Sequence, residues 1–71
     1  MSNIHGEEYQ ELLKKIKSAR KDAQMTQVQV AIALNLTQSF ISKLESGERR
    51  IDPIELKILA KIYKKPITFF Y

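Results

Sequence analysis

The apolar positions of this chain recur every three or four residues rather than every second one. Tyr9, Leu12, Leu13, Ile16, Ala19 and Ala23 fall on one face of a helix, with Lys14, Lys15, Lys17 and Lys21 mostly on the other. This predicts an amphipathic first helix over about residues 7 to 23. Thr26-Gln27-Val28-Gln29 reads as a capping box, in which the hydroxyl accepts from a first-turn amide and Gln29 reaches back to the cap amide. A short helix then runs to about Leu34. Asn35 tolerates the left-handed conformation that ends a helix, and Thr37 caps a third one from Gln38 to about Ser46, stopped by Gly47. Asp52-Pro53-Ile54-Glu55 supplies the cap, an N1 proline and the box partner of a fourth helix, which runs to about Tyr63 and is closed by Lys64, Lys65 and Pro66. Pro66 opens a last short helix through Tyr71. The expected fold is therefore all-α, a compact bundle of about five short helices, as one domain over residues 7–71 behind a flexible tail at 1–6.

Composition narrows the chemistry. In 71 residues there is no cysteine and one histidine, His5, in the tail. Disulfides, thiolate metal sites and Cys-His or Ser-His nucleophiles are thereby excluded, and no enzyme activity, cofactor or metal is expected. The uncharged run Met25 to Ser42 is broken by Thr, Gln, Asn and Ser, and the N-terminus lacks both the basic and the apolar region of a secretory signal. A cytoplasmic protein is the expectation. Charge is more telling in its placement than in its sum of +4. Glu7, Glu8 and Glu11 precede every base; from Lys14 onward twelve bases face five acids, a net +7 on 58 residues. Such a body suits a polyanion, either nucleic acid or an anionic membrane surface.

Two short helices separated by three or four residues form a helix-turn-helix candidate, a weak signal by pattern alone because many bundles contain such pairs. The residues themselves carry more. Ile16-Lys17-Ser18-Ala19-Arg20, Met25-Thr26-Gln27, Val30-Ala31 and the run Leu36-Thr37-Gln38-Ser39-Phe40-Ile41-Ser42-Lys43-Leu44-Glu45-Ser46-Gly47 resemble the lambda-repressor-like helix-turn-helix family, also called the Cro/repressor or XRE type. The resemblance spans Ile16 to Phe70. It implies a double-stranded DNA-binding transcriptional regulator of phage or bacterial kind, such as a phage-type repressor or a restriction-modification controller protein, nucleoid-associated when bound. Glycines that the family commonly places after helix 1, between helices 2 and 3 and after helix 4 are here Gln24, Asn35 and Lys64. Those turns are therefore expected to be strained or differently built.

By the same resemblance the third helix lies in the major groove. Gln38 and Lys43 become base-reading candidates, Gln38 suited to adenine and Lys43 to guanine, with Ser39 open to a base or a phosphate. Gln27, Thr37, Ser42, Arg49 and Arg50 become contacts to the DNA backbone, although Thr37 is also fully explained as a cap and each arginine as a solvated loop charge. Phe40 could meet a thymine methyl or cover the core. Arg20 and Glu45 sit on otherwise core-facing stripes, and the family implies that they form a buried structural ion pair.

On the fourth helix Leu56, Leu59, Ala60 and Tyr63 make the core stripe, while Ile54, Ile58 and Ile62 make a second one. With Phe69, Phe70 and Tyr71 this second stripe is the candidate interface of a homodimer on a palindromic operator, unless the C-terminal segment folds back over it. The competing functional class is a helix-turn-helix module that docks proteins, as an antitoxin-like or anti-repressor partner does. The basic, polar face of Gln38, Lys43, Arg49 and Arg50 argues for DNA. No small-molecule ligand or membrane partner is indicated.

Overall fold

The computed structural model describes residues 2–71, with side chains from Gly6 onward. Four helices and a 3-10 turn follow one another: α1 (Ser2–Asp22), α2 (Gln27–Leu34), α3 (Gln38–Ser46), α4 (Pro53–Ile62) and Ile67–Phe70. Helical backbone begins at Ser2, five residues before the apolar period predicts it, while Met1 and the His5 side chain lie outside the described residues.

Local chemistry sets the helix starts. Thr26 Oγ1 accepts from the Gln29 amide at 3.1 Å while Gln29 Oε1 accepts from the Thr26 amide at 2.8 Å. At α4 the Asp52 carboxylate takes the Glu55 amide at 2.7 Å, Glu55 Oε1 takes the Asp52 amide at 3.0 Å, and Pro53 sits where no amide is needed. Thr37 caps α3 through the Phe40 amide, 3.1 Å away.

The helix ends show one design three times. Gln24, Asn35 and Lys64 have φ of 59°, 58° and 59°, left-handed in each case. Around each, the residue itself donates to the carbonyl three before it, and the next residue donates to the carbonyl five before it: Gln24 to Lys21 and Met25 to Arg20, Asn35 to Ile32 and Leu36 to Ala31, Lys64 to Lys61 and Lys65 to Ala60. This is the paired closure that glycine usually makes. The expectation of differently built turns is thus corrected: the turns are kept, and the side chains bear the strain. Asn does so cheaply; Gln and Lys do not. Gly47, also left-handed at φ 89°, is further constrained, because a Cβ there would stand 3.1 Å from Leu13 Cδ1.

Leu13, Ile16 and Ala19 of α1, Val30 and Ala31 of α2, Ile41 and Leu44 of α3, and Leu56, Leu59, Ala60 and Tyr63 of α4 form the core, with Phe70 closing it from below. Ala31, only 3% exposed, lets α2 lie close to α3. The C-terminal turn packs on α1 and α4. Phe70 is therefore a core residue at 3% exposure, and Ile62 and Phe69 are half-buried against the same core. Phe70 is thereby removed from the candidate dimer interface: in a 3-10 turn residues three apart eclipse, so Ile67 and Phe70 share the inward face. Ile54, Ile58 and Tyr71 stay exposed.

Replacing Gln24 or Lys64 by glycine removes the left-handed strain at a smaller cost in chain entropy, for an expected gain of about 0.5–1 kcal/mol each. Thermal melts should show each variant several degrees above wild type. Unchanged or lower midpoints would mean that these positions carry no strain.

Candidate nucleic-acid interface

The site is built outward from one buried contact. Arg20, on the core edge of α1, donates from Nε to Glu45 Oε2 at 2.7 Å and from Nη2 to Glu45 Oε1 at 3.0 Å. Its third nitrogen, Nη1, donates to the Met25 carbonyl at 3.0 Å, tying the α1–α2 connection to the same group. Glu45 is 4% exposed, a charged residue in the core cluster's wall. The hydrogen bond to Glu45 raises the Arg20 pKa further above its ordinary value, more than burial lowers it. Helix α3 is thereby fixed in rotation as well as position, since only one of its faces carries a carboxylate.

That carboxylate has a second partner. Gln27 Nε2 donates to Glu45 Oε1 at 3.0 Å, and Gln27 Oε1 accepts from Gln38 Nε2 at 3.4 Å, a long contact. The structure thus brings Arg20, Glu45, Gln27 and Gln38 into one chain of polar contacts from the core to the surface. Sequence reasoning missed the link from Gln27 to Glu45. The available signal was the repeated Thr-Gln at the start of α2 and α3, which places two amides at matching ends of neighbouring helices.

With Glu45 turned inward, the exposed face of α3 consists of Gln38, Ser39, Ser42, Lys43 and Ser46. It carries hydroxyls, one amide, one ammonium and no acid. The Thr37 hydroxyl accepts from its own cap amide and keeps its proton for an outside acceptor. Phe40 is half-buried against the core, so it covers the core.

Of the two arginines after α3, Arg49 is half-buried and paired within the fold, whereas Arg50 is exposed. Arg49 donates from Nη1 to Glu55 Oε1 at 3.0 Å and to the Arg50 carbonyl at 3.1 Å, and lies over the Phe40 ring at 4.3 Å. Glu55 raises the Arg49 pKa through the same hydrogen bond. Arg50 lies over the Tyr9 ring at 4.5 Å, and Tyr9 Oη accepts the Ile51 amide at 3.0 Å. Aromatic faces and a carboxylate hold the 47–52 connection against α1 and α4. Non-periodic loop geometry gave the sequence no signal for these contacts.

A family model described as Helix-turn-helix matches residues 16–70, the stretch over which the resemblance runs. The chain belongs to the lambda-repressor-like, XRE-type helix-turn-helix family. No curated protein and no solved structure matches it. Membership makes it a DNA-binding helix-turn-helix regulator of transcription, with α2 and α3 as the motif. Among the described residues no helix is long and apolar enough to cross a membrane.

One core group of this helix-turn-helix domain is unsatisfied. Tyr63 is 2% exposed and its hydroxyl has no hydrogen-bond partner among the described residues. Burial, reinforced by the charge of Glu45, pushes its pKa up to about 12 from 10.0. The raised value favours the protonated fold, so this stability is complete below pH 10 and is lost as pH climbs toward 12.

Two substitutions separate these effects. Glu45→Ala strands the Arg20 guanidinium and should cost about 3–5 kcal/mol in urea unfolding; a midpoint equal to wild type would remove the pair from its structural role. Tyr63→Phe should be neutral or stabilising by about 1 kcal/mol at pH 7, since an unmade hydrogen bond disappears. It should also flatten the loss of stability above pH 10, and an unchanged alkaline profile would assign that loss to other groups.

Proposed function

We propose that the protein binds a palindromic DNA operator as a homodimer and regulates transcription by doing so, with α3 seated in the major groove. The observation that carries this reading is the acid-free outer face of α3, whose leading residue Gln38 is already held by Gln27. Gln38 reads adenine through its amide, Lys43 donates to guanine one turn further on, and Ser39 reaches a base or the adjoining phosphate. The amide end of α2 at Gln27, the hydroxyls of Thr37 and Ser42, and Arg50 contact the backbone. Arg49, already neutralised by Glu55, contributes less charge than Arg50.

Dimerisation is supported by what α4 leaves uncovered. Ile54 and Ile58 are 62% and 42% exposed, and Ile58 shares an apolar hollow of about 110 Å³ with Leu34, Leu36, Phe40, Leu44, Glu55 and Leu59. A single module of this size has too small an interface for tight specific binding, and a second copy doubles it. The exposed Val28 and Ile32 of α2 support a second reading, in which a different protein docks on this domain.

Sites selected from a random duplex pool should be two-fold symmetric, with half-sites about one helical turn apart. On the selected site Gln38→Ala should relax preference at one base pair, by about 1–3 kcal/mol of discrimination. Arg50→Ala should weaken all sequences alike and lower the salt slope by about one. Sedimentation of a monomer on that DNA, with selected sites lacking symmetry, would leave the protein-docking reading standing in place of the dimer.

A further inference from the structure

Arg49 and Arg50 are held in opposite ways. Arg49 donates to Glu55, so its charge is already matched within the fold. Arg50 is exposed and has no ion partner among the described residues, yet its guanidinium is not loose, because it lies over the Tyr9 ring at 4.5 Å. An aromatic ring attracts the whole cation and accepts no lone-pair bond from it, so the five N–H donors of the guanidinium stay available to an outside acceptor. The same tyrosine accepts the Ile51 amide at 3.0 Å, which fixes the backbone one residue beyond Arg50. One residue thus grips both the side chain and the backbone of the connection. Glu8 and Glu11 border the same hollow of about 490 Å³, but neither pairs with Arg50 among the described residues. Either would have matched the charge that the neutral ring leaves open.

We infer that Tyr9 is a positioning residue for DNA binding: it holds the Arg50 guanidinium in place with its donors free for a backbone phosphate. This rests on the phosphate contact of Arg50 proposed above. Tyr9 stands in α1 ahead of residue 16, where the family match begins, so the first turns of this helix bring to the interface something the matched stretch lacks. An arginine side chain that is already ordered loses less freedom on meeting a phosphate than one that must first be caught. Ring and phosphate do not compete, since a guanidinium accommodates an aromatic face and an anion at its N–H groups together.

Tyr9 is half-buried and stands outside the core cluster, so Tyr9→Leu leaves the core intact. In the free protein, 15N relaxation of the Arg50 Nε–Hε group should report an ordered side chain in wild type and a mobile one in Tyr9→Leu. Tyr9→Phe keeps the ring and loses only the hydroxyl, and its Arg50 should stay ordered. On the selected site Tyr9→Leu should weaken binding about fivefold. The loss should be equal on altered sites, because a phosphate contact carries no base preference. Its salt slope should match wild type, since Arg50 still neutralises its phosphate once bound, whereas Arg50→Ala lowers the slope by about one. Adding Tyr9→Leu to Arg50→Ala should cost nothing further. A mobile Arg50 in the wild-type protein would overturn the hold with no variant needed. Unchanged or tighter binding by Tyr9→Leu would show that the ring gives Arg50 no advantage on DNA. A loss that persists in the Arg50→Ala background would make Tyr9 a contact, or a support of the fold, in its own right, and each of these results overturns the positioning role. Should Arg50→Ala itself leave affinity and slope unchanged, the phosphate assignment fails and the role of Tyr9 in binding falls with it, while the relaxation comparison still decides whether Tyr9 orders the guanidinium.

Discussion

The contact on which the rest of this structure depends is the bidentate bond from Arg20 to Glu45. Helix α3 has nine residues and could not persist alone. Its apolar grip on the core consists of Ile41 and Leu44 with half-buried Phe40, enough to hold it down but not to fix which face looks out. A carboxylate on the inner face, met by a guanidinium on α1, removes that freedom, because any rotation of α3 would leave a buried charge unmatched. The same guanidinium holds the Met25 carbonyl, so α1, the connection to α2, and α3 share one anchor. Such a pair adds little stability over a well-packed apolar substitute; its value here is orientation.

Orientation elsewhere is obtained by other means suited to a small core. Three capped helix starts and four left-handed helix ends fix where each segment begins and turns, and they need only a few neighbouring residues to do it. Tyr9 and the two arginine-aromatic stacks fasten the 47–52 connection, the longest stretch without regular structure. Loops are tied by polar contacts to helices that the core already holds, as Met25 is to Arg20 and Lys65 to Asp22.

What the sequence disclosed follows from how local each feature is. The capping boxes at Thr26 and Asp52 are legible because donor and acceptor lie three residues apart, and α1 through α4 are legible from their apolar period. Phe70 was placed by its nearness to the isoleucine stripe alone; the 3-10 turn, in which residues three apart point the same way, turns it with Ile67 into the core. The left-handed conformation of Gln24 and Lys64 opposes residue preference, and only the packing of the next segment imposes it. At the site, Gln38 and Lys43 were legible as an exposed polar face. The Gln27–Glu45 bond and the Arg49–Phe40 stack were not, since each joins segments whose approach no local rule specifies.

The fold also changes the meaning of the charge. Beyond the first turns of α1 the chain holds five acids, and four of them are occupied: Asp22 with Lys65, Glu45 with Arg20, Glu55 with Arg49, and Asp52 as a helix cap. Only Glu48 has neither an ion-pair partner nor a capping role among the described residues. The acids are thus spent within a few ångströms of their own partners, and their fields largely cancel there. Lys43 on the outer face of α3 and Lys57 and Lys61 along α4 are among the lysines without ion partners in the described residues, and they are not cancelled. A modest net charge therefore gives a more basic surface than its sum implies, and a polyanion approaching α3 meets that surface before it meets any acid of the motif.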